Sequence, residues 1–171
     1  TAQVTDVAGN VGTAGGSLTV ALDTTAPVHA NVTAITTDSG ATGDRITNDN
    51  DAGTTFTVNG GEVGATITVE LADVDITGTK FDIVDHSDNT YTLTVKAGVT
   101  LADGVYTVKA ADAAGNVVTG QTFTIDATAP SVPTNPIDLP DGSDTGSSAT
   151  DNTTSTTAPT LRVYLTGTNA A

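Results

Sequence analysis

The sequence predicts an all-β protein of tandem antiparallel β-sandwiches, about seven short strands to a unit, and three observations predict it. Apolar residues alternate with Thr along most of the chain, the period-2 mark of half-buried strands. Turn residues punctuate these runs at short, regular intervals, and no stretch carries helical periodicity. Landmarks also recur at nearly one shift. Asp6-Val7-Ala8-Gly9-Asn10 returns as Asp112-Ala113-Ala114-Gly115-Asn116, Asp23-Thr24-Thr25-Ala26-Pro27 as Asp126-Ala127-Thr128-Ala129-Pro130, and Asp38-Ser39-Gly40 as Asp144-Thr145-Gly146. One unit is therefore slightly over a hundred residues, the size of one sandwich.

The strands of the complete unit follow in order. Ala30–Thr36 opens it. Thr54–Val58 and Thr66–Leu71 come next, parted by Asn59-Gly60-Gly61. Thr77-Gly78 precedes Lys80–Ile83, and His86-Ser87-Asp88-Asn89 leads into Thr90–Val95. Ala102-Asp103-Gly104 precedes Tyr106–Ala110, and Thr122–Ile125 closes the unit. The expected core is Ile35, Phe56, Val58, Ile67, Val69, Leu71, Phe81, Ile83, Tyr91, Leu93, Val95, Tyr106, Val108, Phe123 and Ile125. Tyr106 fits either a tyrosine corner or a plain core aromatic. The register gives residues 1–23 as the last strands of one unit, 24–126 as a complete unit, and 127–171 as the first part of a third. It predicts a segment of a longer repeat array.

Composition narrows function. The 171 residues carry 5 Lys+Arg against 20 Asp+Glu, a net charge of −15, with no Cys, Met or Trp. Such acidity opposes nucleic acid, whose phosphates require cationic side chains, and anionic membrane surfaces. No apolar run reaches the ~20 residues of a membrane span. Without Cys there is no disulfide frame, thiolate metal site or cysteine nucleophile. All the acids are Asp except Glu62 and Glu70. Asp is the short carboxylate that suits self-bonded turns and oxygen cages around hard cations.

Catalytic motifs do not assemble. The Asp-Ser-Gly and Asp-Thr-Gly tripeptides fall on different units, whereas aspartic protease chemistry needs two carboxylates sharing one proton in a shielded site. His29 and His86 lack metal-ligand spacing. The expectation is a protein that is not an enzyme. Asn31-Val32-Thr33 and Asn152-Thr153-Thr154 fit a glycosylation sequon. Asp73, Asp75, Asp82, Asp85 and Asp88 form a second acidic group, read as a solvated face.

The succession Asp-x-Ala-Gly-Asn, Asp-x-Thr-Ala-Pro, then Ile35-Thr36-Thr37-Asp38-Ser39-Gly40 through Gly43-Asp44-Arg45-Ile46-Thr47-Asn48-Asp49 resembles the bacterial immunoglobulin-like repeats of giant adhesins exported by type I secretion. The resemblance covers the whole chain. In the later copy the second acid, Asp151, stands seven residues after Asp144 rather than six, with no Gly before it. The resemblance implies extracellular stalk modules on the bacterial surface, serving adhesion or biofilm formation, with Ca²⁺ held at junctions between neighbouring repeats. On that reading Asp6, Asp23, Asp38 and Asp44, with Asp49 as a fifth, converge on one junction, and Asp112, Asp126, Asp144 and Asp151 on the next. Converging carboxylates repel unless a cation joins them; the competing reading is that each Asp makes a solvated turn. The adhesion target is not legible. Two other functions stay open: a carbohydrate- or ice-binding module, for which the outward Thr66/Thr68 and Thr90/Thr92/Thr94 ladders speak, and an accessory immunoglobulin-like domain of a secreted enzyme or surface layer.

Overall fold

The computed structural model describes residues 1–132 and 137–164. It divides into two compact units, Thr1–Ala127 and Thr128–Ala171.

The first unit contains a two-layer sandwich. One sheet holds four strands: β1 (Asn31–Ile35), β3 (Thr55–Asn59), β7 (Thr90–Val95) and β6 (Phe81–Asp85), in the order β1-β3-β7-β6. The other holds five, in the order β2-β9-β8-β4-β5: β2 (Ile46–Thr47), β9 (Val117–Ile125), β8 (Gly104–Ala111), β4 (Thr66–Leu71) and β5 (Val74–Asp75). All pairings are antiparallel except the short β2–β9 contact, where Ile46 meets Thr124 and Thr47 meets Ile125 in parallel. A single helical turn, α1 (Thr77–Lys80), carries the chain from β5 to β6.

The alternation does what it predicts. In β3 and β7, Phe56, Val58, Tyr91, Leu93 and Val95 are buried while the intervening Thr residues face out. Four rings bridge the layers. Phe81 meets Phe56 edge-on at 6.1 Å, Phe56 stacks on Phe123 at 4.1 Å, and Phe123 stacks on Tyr106 at 5.0 Å. Of the expected core, Leu71 and Ile83 are only partly buried, since both lie near sheet edges. The core adds Ala30, Val32, Ala65, Leu101 and Ala110.

The tyrosine corner forms: the Tyr106 hydroxyl donates to the Ala102 carbonyl at 2.7 Å. Strand β9 starts five residues earlier than alternation suggests, because Gly120 interrupts the pattern where Ala30 crosses it. A Cβ at Gly120 would collide with the Ala30 carbonyl, and the Gln121 N–H donates to that same carbonyl at 2.7 Å. The chain thus touches the five-stranded sheet at Ala30 before pairing with β3 in the other layer.

Within residues 1–23, Ala2 to Gly15 form a hydrogen-bonded hairpin around the Thr5–Val11 bridge rather than two full strands. Val4, Leu18, Val20 and Leu22 stand exposed, as expected of two strands with no facing sheet to bury them. In the second unit, Asp138 and Arg162 pair antiparallel, and Leu139, Ser143 and Asp144 are buried. Residues 133–136 and 165–171 of the expected third repeat lie outside the described residues.

Candidate functional site

Strand direction decides which end of the sandwich each loop occupies. The nine residues of β9 span about 30 Å. At its start lies the 112–116 hairpin, beside the point where the chain enters at Ala30. At its finish lie Asp126, β2 and the 36–54 loops, because Thr124 donates to the Arg45 carbonyl and Asp126 to the Thr47 carbonyl. The Asp112 hairpin and Asp126 therefore stand at opposite ends. This corrects the expectation that both face one junction. The entry end holds Asp112 and, through the bond from Asn116 Nδ2 to the Asp23 carbonyl at 3.1 Å, Asp23. The exit end holds Asp38, Asp44, Asp49 and Asp126. Asp6 closes its own turn in the N-terminal hairpin, and Asp23 stands at the end opposite Asp38, Asp44 and Asp49, so the first predicted set is not one cluster.

The recurring hairpin closes on itself. Asp112 Oδ1 accepts the Ala114 and Asn116 N–H groups, both at 2.9 Å, and its Oδ2 accepts Asn116 Nδ2 at 2.8 Å. Asp6 repeats the pattern with Ala8, Asn10 and the Asn10 amide, each at 2.9 Å. Gly115 and Gly9 supply the left-handed residue the turn needs, at φ 91° and 85°. These donors hold both carboxyls below the ordinary Asp value, the Asn side chain contributing most. Both oxygens of each carboxylate are engaged within its own turn, as Asx geometry allows.

The exit-end loop is built differently. Asp44 Oδ1 accepts the Ile46 N–H at 2.9 Å, and Ser39 Oγ accepts the Asn48 N–H at 2.8 Å. Thr47, fully buried, donates to the Thr37 carbonyl and accepts from the Asp49 N–H. Asp49 Oδ1 accepts the Thr54 hydroxyl at 2.7 Å, which lowers the Asp49 pKa. Asn50 fastens the loop to Leu101 by bonds of 3.0 and 2.9 Å. Asp103, which sequence reasoning left out, sits at this end and accepts the Ala127 N–H at 2.8 Å. Asp38 differs from its neighbours. Its Oδ2 accepts the Gly43 N–H, but its Oδ1 is buried with no hydrogen-bond partner.

A family model for the bacterial Ig-like domain matches residues 25–127. The chain belongs to this family. No match is found among curated proteins.

The second unit repeats the exit-end loop of this Ig-like domain. Asp151 Oδ1 accepts the Thr153 N–H at 3.0 Å, as Asp44 does with Ile46. Thr145 Oγ1 accepts the Ser155 N–H at 2.8 Å, as Ser39 does with Asn48. The extra residue before Asp151 is absorbed where Asn152 N–H, rather than a Gly, donates to Asp144 Oδ2 at 3.2 Å. Asp144 is 6% exposed, and its Oδ1, like that of Asp38, is buried and unpartnered. Asp144 and Asp151 thus share one loop; Asp112 and Asp126 belong to the other compact unit.

A buried carboxylate oxygen without a donor suits a hard cation. Among the described residues, no three His, Asp or Glu side chains gather closely enough to hold a metal ion by themselves. In the second acidic group, Asp75, Asp85 and Asp88 accept the N–H two residues on, at 2.8, 2.7 and 3.0 Å, and Asp82 stands 3.6 Å from Lys96. These are turn-forming and surface roles. No helix among the described residues is long and apolar enough to cross a membrane.

Proposed function

We propose that this chain is a non-enzymatic stalk segment of a bacterial surface adhesin exported by type I secretion, in which Ca²⁺ binds the exit-end loops and stiffens the array. The stalk holds a distal binding domain away from the cell and so serves adhesion and biofilm formation. Membership in the bacterial Ig-like family, common in surface proteins, supports the extracellular stalk. One observation carries the calcium reading: the same Asp oxygen is buried and unpartnered in two copies of one loop, at Asp38 and Asp144. Asp38 and Asp144 supply that oxygen. Asp44, Asp49, Asp126 and Asp151 lie in or beside these loops, and main-chain carbonyls complete a coordination of six to eight oxygens. Asp6 and Asp112, closed on their own turns, shape the hairpins instead. The aromatic census disfavours a carbohydrate-binding module: Phe56, Phe81, Phe123, Tyr91 and Tyr106 are all buried, leaving Tyr164 as the one exposed ring.

Extracellular modules hold Ca²⁺ at roughly 10⁻⁴–10⁻³ M. A tenfold excess of ion over Kd stabilises the folded state by about 1.4 kcal/mol. Differential scanning calorimetry in millimolar Ca²⁺ and in chelator reads this directly. The expected result is a melting point raised by Ca²⁺ in the native chain, with the rise diminished in Asp38→Asn. An identical melting point in both buffers refutes the calcium reading.

A further inference from the structure

The approach to the sandwich is not a free tether. From Asp23 to Ala30 the chain is held against the entry end at four successive places. Asn116 uses both amide hydrogens: one closes its own hairpin on Asp112 Oδ2, and the other reaches the Asp23 carbonyl at 3.1 Å. Asp23 Oδ1 accepts the Thr25 N–H at 3.0 Å and folds the segment back on itself. His29 Nε2 pairs with Asn59 Oδ1 at 2.8 Å, and the same oxygen takes Asn89 Nδ2 at 2.9 Å and the Gly61 N–H at 3.0 Å. The backbone of Val28 and His29 lies directly over Gly61, where a Cβ would stand 2.6 Å from the His29 nitrogen. Ala30 lies as closely over Gly120.

We propose that the entry end of each repeat is a seat for the exit segment of the repeat before it, and that this seat orders the linker without metal. The partner it fits is the main chain of an Asp-x-Thr-Ala-Pro segment. This explains why the hairpin ends in Asn: Asp would keep the size but lose both donors. It explains Gly61, since only a residue without a side chain admits a backbone so close. Pro27 adds stiffness, because it fixes its own φ and holds Ala26 extended. Asp126-Ala127-Thr128-Ala129-Pro130 repeats the seated segment, so the partner is a generic element of the chain. The inference rests on reading the chain as part of a repeat array, but not on calcium.

The test is ¹⁵N relaxation on the whole chain in chelator, comparing the native sequence with Asn116→Ala and Gly61→Ala. The two variants act at opposite ends of the seat, and only the first alters the hairpin. In the native chain the amides of Thr24, Thr25, Ala26 and Val28 are expected to show order parameters near those of the strands, about 0.85. In each variant they fall below about 0.6 while the chemical shifts of Phe56 and Phe123 report an intact core. A linker already disordered in the native chain, or one that stays strand-like in either folded variant, overturns the seat. Adding Ca²⁺ separates the two ideas. A linker ordered in chelator with no thermal response to Ca²⁺ refutes the calcium reading and keeps the seat; a linker ordered only with Ca²⁺ does the reverse.

Discussion

Replacing Tyr106 by Phe removes one oxygen and leaves the ring stack with Phe123 intact. The lost bond is short, 2.7 Å from hydroxyl to the Ala102 carbonyl, at the centre of the O–H···O range. A neutral hydrogen bond of this kind contributes a net 0.5–1.5 kcal/mol or so. Ala102 is exposed, so water can take over its carbonyl, and no further penalty for an orphaned acceptor arises. The expected loss is therefore about 1 kcal/mol, or roughly 4–8 °C in Tm for a domain of this size. Tyr91 supplies the control. Its hydroxyl lies 3.4 Å from the Glu62 carbonyl, too far for a strong bond, and Tyr91→Phe should cost less than about 0.5 kcal/mol. The chain has no Trp, so urea unfolding is best followed by far-UV circular dichroism. Tyr106→Ala, which also empties the ring site, should cost about 3–5 kcal/mol. If Tyr106→Phe is neutral, or costs no more than Tyr91→Phe, the corner contributes nothing and the reasoning from bond geometry fails.

Three other outcomes follow from the same structure. Gly120→Ala should destabilise by about 1–3 kcal/mol by forcing Ala30 off β9, which thermal melting would detect; a neutral result refutes the close crossing. Thr47→Val should cost about 1–2 kcal/mol in urea, since it removes two hydrogen bonds of a fully buried hydroxyl, to the Thr37 carbonyl and from the Asp49 N–H. The hairpin carboxyls give an acid limb with a definite sign: the folded pKa of Asp6 and of Asp112 lies below the unfolded value of 3.8. Their contribution is thus complete above that value and lost as pH falls through the folded pKa. Urea midpoints from pH 6 down to 2 should drop below about pH 4, less steeply in Asp112→Asn; equal slopes would refute the assignment.

Strand faces were legible because the side-chain period is 2 and Thr marks the outer face so consistently. All fifteen expected core residues lie in strands, and all but Leu71 and Ile83 are buried. What alternation could not find was burial outside it. Leu101 precedes a turn, and Thr47 is polar, yet both are buried because loops at the exit end fold inward and satisfy themselves. The first half of β9 escaped for a related reason. Gly120 there breaks the pattern for the sake of Ala30, a contact ninety residues away in sequence that no local window contains.

The recurring motifs were equally legible as motifs, and their placement failed on a matter of parity. A loop between the last two strands lies one strand length away from the end of the last strand, so Asp112 and Asp126 cannot share a junction however neatly both recur. Chemistry offers a competing use at a second point. A carboxylate followed by x-Ala-Gly-Asn has two main-chain donors and an amide within its own turn, and these engage both of its oxygens. Asp38 and Asp144 lack that local closure around one oxygen, and the difference is invisible in residue type because all four are loop aspartates. Recurrence therefore identifies which positions matter to a repeat, while strand count and the local supply of donors decide what each position does. For this chain they assign opposite ends to different arrangements: donors that grip a backbone where the chain enters, and loops with a buried, unpartnered acid oxygen where it leaves.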